Sequence, residues 1–156
     1  MKISEVLDEE LIANNIPGND KEEVLNYMIE LISKSPKVRD KEKVRNAIFD
    51  REKIMSTGVG KGFAIPHGKT DGISDIVAAF GITENEINFE SLDGEPVKLI
   101  FLLVGKESSV GPHLKLLSRI SRLMNKDEFR LRLINAKTSK EIRNLFEAEE
   151  KSYFEG

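Results

Sequence analysis

The sequence predicts an α/β fold, because strand-like and helix-like segments alternate along its 156 residues. Residues 75–82 and 97–104 contain continuous apolar runs, which are typical of strands that are covered on both faces. Elsewhere apolar residues recur at helical spacing, as in Val44, Ala47 and Ile48. Together these two patterns favour a sheet with helices packed against it.

The first third of the chain is predicted to form a strand and two helices. Residues 11–16 read as a short strand, and residues 20–33 as an amphipathic helix. The apolar face of this helix is predicted to consist of Val24, Tyr27, Met28, Leu31 and Ile32. The next helix, residues 40–53, follows Pro36 and has Asp40 as its predicted N-cap.

The rest of the chain is predicted to be strands followed by helices. The predicted strands are residues 63–65, 75–82, 87–89 and 97–104. Residues 87–89 are predicted to be a short strand that is separate from the one before it. The predicted helices are residues 112–125, 126–135 and 139–149. Thr138 and Glu141 fit a capping box at the start of the last helix.

Composition excludes several classes of function. A net charge of −3 offers no electrostatic footprint for nucleic acid. The longest apolar run, residues 99–104, is too short to insert into a membrane, and the first residues lack the apolar segment of a signal peptide. We therefore expect a cytoplasmic protein that consists of a single domain over residues 1–156, with a core of about residues 3–148.

The strongest functional signal lies in residues 51–69, REKIMSTGVGKGFAIPHGK. This stretch places His67, one of two histidines in the chain, between Pro66 and Gly68. Proline fixes its own φ at about −65° and restricts the residue before it, so the backbone that carries the ring is stiff. We expect a turn that presents the His67 ring, with Gly68 leaving space beside it. A packed histidine in an ordinary turn is the alternative.

Three glycines at every second position precede this histidine. Gly58, Gly60 and Gly62 predict a flexible loop, or a backbone with positive φ, that leads into the turn. The segment is not a Walker A loop, because no serine or threonine follows Lys61. It is not a dinucleotide-binding fingerprint either, because Phe63 stands where the third glycine belongs.

The second histidine, His113, opens a predicted helix. Pro112 suits the first helical turn, and His113 shares a predicted helix face with Leu116, Leu117 and Ile120. The positive end of a helix favours an anion and disfavours an imidazolium ion. A neutral imidazole there can donate one hydrogen bond to a phosphoryl group. The alternative is a half-buried histidine with a structural partner.

Arg51 is the third candidate for this site. It lies at the end of an apolar helical stripe. From there its guanidinium group can bind a phosphoryl group, or it can extend into solvent as an ordinary residue at the edge of the core. Two histidines and one arginine suit the acceptance of phosphate on nitrogen. Neither a metal nor a cofactor is predicted, because the chain has no cysteine and no carboxylate adjoins either histidine. Ser56 is expected to hydrogen-bond within its loop rather than act as a nucleophile.

Several motifs follow one another in a recognisable order: Arg51-Glu52, Ser56-Thr57-Gly58-Val59-Gly60, Ala64-Ile65-Pro66-His67-Gly68, Asp93-Gly94-Glu95-Pro96-Val97 and His113-Leu114. This order resembles the signature of the fructose/mannitol class of enzyme IIA, the type 2 IIA domains of the bacterial phosphoenolpyruvate-dependent phosphotransferase system. The resemblance covers roughly residues 3–146. It implies a mixed β-sheet that is covered by helices on both faces.

The same resemblance implies the chemistry and the partners. His67 would accept phosphate on Nε2 from the histidine-containing phosphocarrier, His113 would hydrogen-bond the phosphoryl oxygens, and Arg51 would neutralise their charge. The loop is expected to complete a phosphoryl cradle with Ser56, Thr57, Gly58, Gly60 and Gly68. His67 would then pass the group to a IIB domain, or hold it as a signal that a regulatory target protein reads.

The motifs resemble most the nitrogen-regulatory IIA proteins, in which phosphorylation controls the binding of partners. The sequence contains no attached IIB or IIC segment, which favours this regulatory role. The alternative is a sugar-specific IIA subunit that passes phosphate to a fructose- or mannitol-type IIB domain during sugar uptake.

Overall fold

The computed structural model describes residues 1–154 and has one mixed β-sheet with helices on both faces, as the sequence predicts. The helices are α1 (Ile3–Val6), α2 (Lys21–Ile32), α3 (Lys41–Ile54), α4 (Val110–Met124), α5 (Asp127–Asn135) and α6 (Ser139–Phe154). Asp20 caps α2 by accepting a hydrogen bond from the Glu23 N–H, and Asp40 caps α3 in the same way from Lys43. The predicted starts of α2 and α3 are therefore confirmed, whereas α4 begins at Val110, two residues before its predicted start.

The strands of this sheet are β1 (Ile12–Ile16), β2 (Gly58–Gly60), β3 (Phe63–Ala64), β4 (His67–Lys69), β5 (Val77–Ile87) and β6 (Val97–Gly105). Their order is β1-β5-β6-β3-β2, and β4 also pairs with β6. Strands β5 and β6 are antiparallel, whereas β3 and β4 both run parallel to β6. Strands β3 and β4 therefore lie one after the other along the same edge of the central strand β6.

Strand β6 separates two hydrophobic cores because successive side chains point to opposite faces of the sheet. Leu99, Phe101 and Leu103 belong to the core under α1, α4, α5 and α6. Ile100 and Leu102 belong to the core under α2 and α3. Burial on both faces explains why residues 97–104 read as an uninterrupted apolar run.

The structure corrects several predictions about local structure. Residues 87–89 are not a separate strand, because β5 continues through the polar residues 83–86 to Ile87. The exposed side chains of residues 84–86 interrupt the apolar pattern of the strand, and a register shift lies between Ile82 and Ile87. Tyr27 is 37% exposed, whereas Leu25 and Ile29 are buried, so the buried face of α2 is rotated toward these two residues. The sequence did not predict α1.

Two further corrections concern the segment that carries the predicted site. Gly58–Gly60 is a short strand rather than a loop, although Gly60 and Gly62 have the expected positive φ values of 124° and 85°. His67 begins strand β4 and does not lie in a turn. Strands β3 and β4 are separated only by Ile65 and Pro66, and the Pro66 carbonyl accepts a hydrogen bond of 3.0 Å from the Leu103 N–H of β6.

Candidate phosphoryl-transfer site

The fold brings the two histidines together. His67 begins β4 and His113 lies in the first turn of α4, and their ring centroids are 5.8 Å apart with the ring planes tilted by 52°. β4 pairs with the last residues of β6, after which the chain turns into α4. The pairing of β4 with β6 therefore sets the spacing between the two rings.

The His67 ring is held in one orientation. Its Nδ1 lies 2.8 Å from the Ile65 carbonyl oxygen, and a carbonyl can only accept, so Nδ1 must carry the proton. Nε2 then keeps its lone pair and has no hydrogen-bond partner among residues 1–154. Burial lowers the pKa of His67, the Ile65 bond opposes this, and the charge of Arg51 lowers the pKa further. The ring is therefore neutral near pH 7, with a nucleophilic lone pair on Nε2.

His113 is a buried histidine with no structural partner. Its side chain is 2% exposed, and neither ring nitrogen has a hydrogen-bond partner within the described chain. Burial, and then the charges of His67 and Lys69, lower the pKa of His113 to about 4. Since buried polar atoms are nearly always satisfied, the two free nitrogens indicate a group that is prepared for a ligand.

Arg51 reaches the same site from the last turn of α3. One guanidinium nitrogen, Nη1, donates a hydrogen bond of 2.8 Å to the Met55 carbonyl oxygen. This bond anchors the side chain and leaves its other N–H groups for an anion. The charge of Arg51 is close enough to lower the pKa of His67.

Two adjoining cavities open onto the His67 ring, with volumes of about 470 Å³ and about 300 Å³. Both are lined by His67, Arg51 and Leu117. His113 and Gly68 line the larger cavity, which is therefore the one where both imidazoles can contact the same bound group.

The residues predicted to form a phosphoryl cradle do not all lie at the cavities beside His67. Ser56, Thr57 and Gly58 line the smaller cavity, but the Ser56 and Thr57 hydroxyls already have hydrogen-bond partners within the protein. Ser56 donates to the Phe89 carbonyl, and Thr57 donates to the Glu52 carboxylate. Each hydroxyl would have to leave its present partner before it could donate to a phosphoryl group.

The other two predicted glycines make close contacts within the protein. A Cβ at Gly68 would lie 3.0 Å from the Ala47 backbone, so this glycine lets β4 pack closely on α3 at the wall of the larger cavity. Gly60 lines neither cavity. A Cβ added at Gly60 would lie 3.0 Å from the Asp93 carboxylate. The structure does not bring Gly60 to the site, because the hairpin of β2 and β3 carries it away from His67.

Sequence reasoning missed three residues that shape the site. Lys69 lines the larger cavity, two residues after His67 on β4, and period-two spacing along a strand was the available signal. Gly105 ends β6 beneath His113, where an added Cβ would be 2.3 Å from Nδ1. Glu52 is buried and binds Thr57. The positions of Gly105 and Glu52 depend on long-range packing, for which local patterns give no signal.

Exposed apolar side chains surround the two cavities. Ile54 is 80% exposed and Leu92 is 73% exposed, and both line a cavity beside His67. The rest of this apolar rim consists of Met55, Val59 and Leu114. Such a cluster around a concave polar site is typical of a protein–protein contact surface.

Comparisons with known proteins identify the family of the chain. Residues 5–149 match the family model described as "Phosphoenolpyruvate-dependent sugar phosphotransferase system, EIIA 2". The chain is 36% identical over 151 residues to a "PTS system fructose-specific EIIABC component" of Bacillus subtilis, covering 97% of this chain but only 24% of that protein. It is also 36% identical over 135 residues to a "Nitrogen regulatory protein" of Bradyrhizobium diazoefficiens, covering 85% and 86% of the two chains.

A solved structure leads to the same family. The "Nitrogen Regulatory Protein IIA-Ntr from Neisseria meningitidis" superposes with a TM-score of 0.86 at 31% identity, covering 92% of this chain and 98% of that one. No helix within residues 1–154 has the length and apolar character needed to cross a bilayer. The chain therefore belongs to the type 2 EIIA family of the phosphoenolpyruvate-dependent phosphotransferase system.

Proposed function

We propose that this protein is a phosphoryl carrier whose acceptor is Nε2 of His67 and whose donor is the phosphohistidine of the histidine-containing phosphocarrier. The hydrogen bond from Nδ1 to the Ile65 carbonyl carries the proposal, because it keeps the lone pair on Nε2 beside the two cavities. The lowered pKa of His67, caused mainly by burial, keeps this lone pair unprotonated at neutral pH.

In the proposed step, the Nε2 lone pair attacks the phosphorus atom in line with the donor's P–N bond. The new P–Nε2 bond forms as the donor's bond breaks, and the donor's imidazole leaves with the electron pair of its broken bond. His67 keeps its Nδ1 proton. The ring gains positive charge during the attack, and the Ile65 carbonyl stabilises this charge through the existing hydrogen bond.

The neighbouring groups would stabilise the phosphoryl oxygens. His113 is neutral, so one ring nitrogen can donate to an oxygen atom without repelling the incoming donor. Arg51 and Lys69 contribute positive charge at the walls of the larger cavity. Phosphoryl transfer depends mainly on such positioning and charge stabilisation, and the donor already holds the group on an activated bond.

The apolar rim around His67 gives the donor and later partners a place to dock. Ile54 and Leu92 flank the cavities and would lose exposed apolar surface on contact. The donor's phosphohistidine has to approach Nε2 closely, so the donor must cover this rim. The same surface would serve the phosphocarrier and a IIB domain or regulatory target in turn.

We further propose that the protein is of the nitrogen-regulatory type, in which phosphorylation of His67 controls partner binding. The 31% identity and TM-score of 0.86 to the Neisseria IIA-Ntr structure support this assignment. The second candidate is a sugar-specific IIA subunit that passes phosphate to a fructose- or mannitol-type IIB domain. The 36% identity to the fructose-specific protein of Bacillus subtilis favours this second candidate.

A phosphotransfer assay tests the acceptor. Phosphoenolpyruvate and the general phosphotransferase proteins should label the chain once, with phosphate that is labile in acid and stable in base. His67→Ala should abolish this label, whereas His113→Ala should retain the acceptor and label more slowly. Equal labelling of His67→Ala and the parent protein would contradict the proposal.

A further inference from the structure

Glu52 is a buried carboxylate that the proposed chemistry leaves without a role. Its side chain lies beneath the site on the last turn of α3 and is 3% exposed. Its two oxygens accept hydrogen bonds of 2.9 Å from the Thr57 N–H and 2.5 Å from the Thr57 hydroxyl. An acidic side chain at such a depth is unusual unless it is paired and fully hydrogen-bonded.

Hydrogen bonds lead from Thr57 to the acceptor histidine. The Thr57 carbonyl accepts a hydrogen bond of 3.0 Å from the Ile65 N–H. The Ile65 carbonyl, in turn, accepts the 2.8 Å bond from Nδ1 of His67. A run of three contacts therefore joins Glu52 to the acceptor ring, and both backbone groups of Ile65 take part in it.

These contacts, together with the Leu103 N–H bond to the Pro66 carbonyl, constrain the backbone on both sides of the Ile65 carbonyl. Ile65 and Pro66 lie between β3 and β4, outside both strands, so strand pairing alone does not hold the Ile65 peptide groups. The hydrogen bond from the Ile65 N–H to the Thr57 carbonyl constrains the Ile65 backbone. Glu52 in turn holds Thr57 by accepting hydrogen bonds from both its N–H and its hydroxyl group. Loosening Thr57 would let the Ile65 carbonyl turn away from Nδ1, and the proton could then move to Nε2.

We propose that Glu52 is a positioning residue that acts through Thr57 and Ile65 to keep the proton of His67 on Nδ1 and the lone pair on Nε2. The proposal rests on the proposed role of His67 as phosphoryl acceptor. Glu52 contacts neither the phosphoryl group nor the His67 ring. Its effect is to fix the tautomer and direction of the nucleophile before the donor arrives.

Lys21 provides a way to separate this role from simple stabilisation. Its ammonium group lies 2.8 Å from a Glu52 carboxylate oxygen and 4.8 Å from the centre of the Phe89 ring. Removing Lys21 breaks the ion pair but leaves both hydrogen bonds from Thr57 to Glu52. Lys21 lines neither of the cavities beside His67. Lys21→Met is therefore the matched control for Glu52→Gln.

The experiment compares the full-length parent protein with Glu52→Gln and Lys21→Met. Ring nitrogen chemical shifts of His67, measured by NMR without any phosphodonor, report which nitrogen carries the proton. Glu52→Gln keeps the size of the side chain but has one acceptor oxygen for the two Thr57 hydrogens, so its NH₂ group can bond the Thr57 hydroxyl only after that hydroxyl turns to accept. It should increase the Nε2-protonated tautomer and slow transfer from the phosphocarrier by roughly ten- to a hundredfold. Lys21→Met should change neither quantity by more than about twofold, even where it lowers stability.

An unchanged His67 tautomer in Glu52→Gln would overturn the proposal, as would equal effects in Lys21→Met and Glu52→Gln. Thr57→Val serves if Glu52→Gln does not fold, because it removes only the hydroxyl bond and should shift the tautomer in the same direction. An unchanged tautomer in that variant would also overturn the proposal. The NMR measurement needs no phosphate, so it separates failure of the Glu52 role from failure of His67 as the acceptor.

Discussion

The His67 and His113 rings lie 5.8 Å apart between centroids, and each differs from an ordinary histidine in its hydrogen bonding. Nδ1 of His67 is bound to the Ile65 carbonyl, while both nitrogens of His113 are free of protein partners within residues 1–154. In the proposed transfer, the His67 ring would attack and the His113 ring would donate a hydrogen bond. The pair suits transfer of a group that becomes bonded to His67 and hydrogen-bonded to His113.

The first prediction concerns the groups that support the acceptor. His113→Ala should slow phosphotransfer by about 10²–10³-fold, since it removes a neutral donor to the transition state worth about 3–4 kcal/mol. Arg51→Ala should also slow transfer, and it removes the hydrogen bond to the Met55 carbonyl at the end of α3 as well. Single-turnover labelling by the phosphorylated phosphocarrier measures both effects. Parental rates in both variants would refute a site made of these three residues.

The second prediction tests the packing beneath His113. Gly105→Ala should displace the imidazole, because the new Cβ would be 2.3 Å from Nδ1. We expect slower phosphotransfer and a loss of about 1–3 kcal/mol in the free energy of unfolding, without removal of any reactive group. Gly111→Ala is the matched control, because a Cβ there meets nothing within 4 Å. Equal rates in the two alanine variants would contradict this account of Gly105.

The third prediction concerns stability at low pH. Burial and nearby charge lower the pKa of His113 from 6.5 to about 4 in the folded protein. The unfolded chain therefore binds more protons between these values, and the free energy of unfolding falls as the pH decreases through this window. From pH 7.5 to pH 5, His113 should account for a loss of about 2 kcal/mol.

Denaturant unfolding at the two pH values measures this loss. His113→Gln cannot titrate, so its stability should fall by about 2 kcal/mol less than that of the parent protein over the same interval. The lowered pKa of His67, due first to burial, acts in the same direction in both proteins and largely cancels. Identical pH dependence in parent and variant would contradict the lowered pKa of His113.

The fourth prediction concerns partner binding. Phosphorylation of His67 adds about −1.5 to −2 charges within the apolar rim. A partner that covers this rim with apolar or acidic groups should bind the phosphorylated form ten- to a hundredfold more weakly, about 1.4–2.8 kcal/mol, whereas a partner that offers arginines should bind it more tightly. His67→Asp should reproduce the change only partly, because its charge lies in a different place.

Titration calorimetry of a captured partner against both forms measures this difference. The unphosphorylated protein and His67→Ala serve as the uncharged references. Equal affinities for both forms with every captured partner would refute the regulatory role and leave the carrier role standing.

Local sequence determined the features that depend on near neighbours. Asp20 and Asp40 cap helices through N–H groups three residues away, and the apolar run of β6 specifies a strand that is buried on both faces. The ordered motifs between Arg51 and His113, with the one around Pro66 and His67 at their centre, were sufficient to predict the family, because each motif consists of consecutive residues. These are short-range properties, so no tertiary contact is needed to infer them.

Only the tertiary structure decided how the site is assembled. Pairing of β4 with β6 places His67 beside His113, and long-range packing sets Gly105 beneath that ring. Pairing of β2 with β3 keeps Gly60 out of both cavities, and the segment after α3 commits the Thr57 hydroxyl to buried Glu52, which lies five residues earlier. The pairing of β4 with β6 joins segments that are distant along the chain, and the residue types alone do not specify which neighbours they meet. The family could therefore be inferred from the sequence, whereas the hydrogen bonds that orient the acceptor could not.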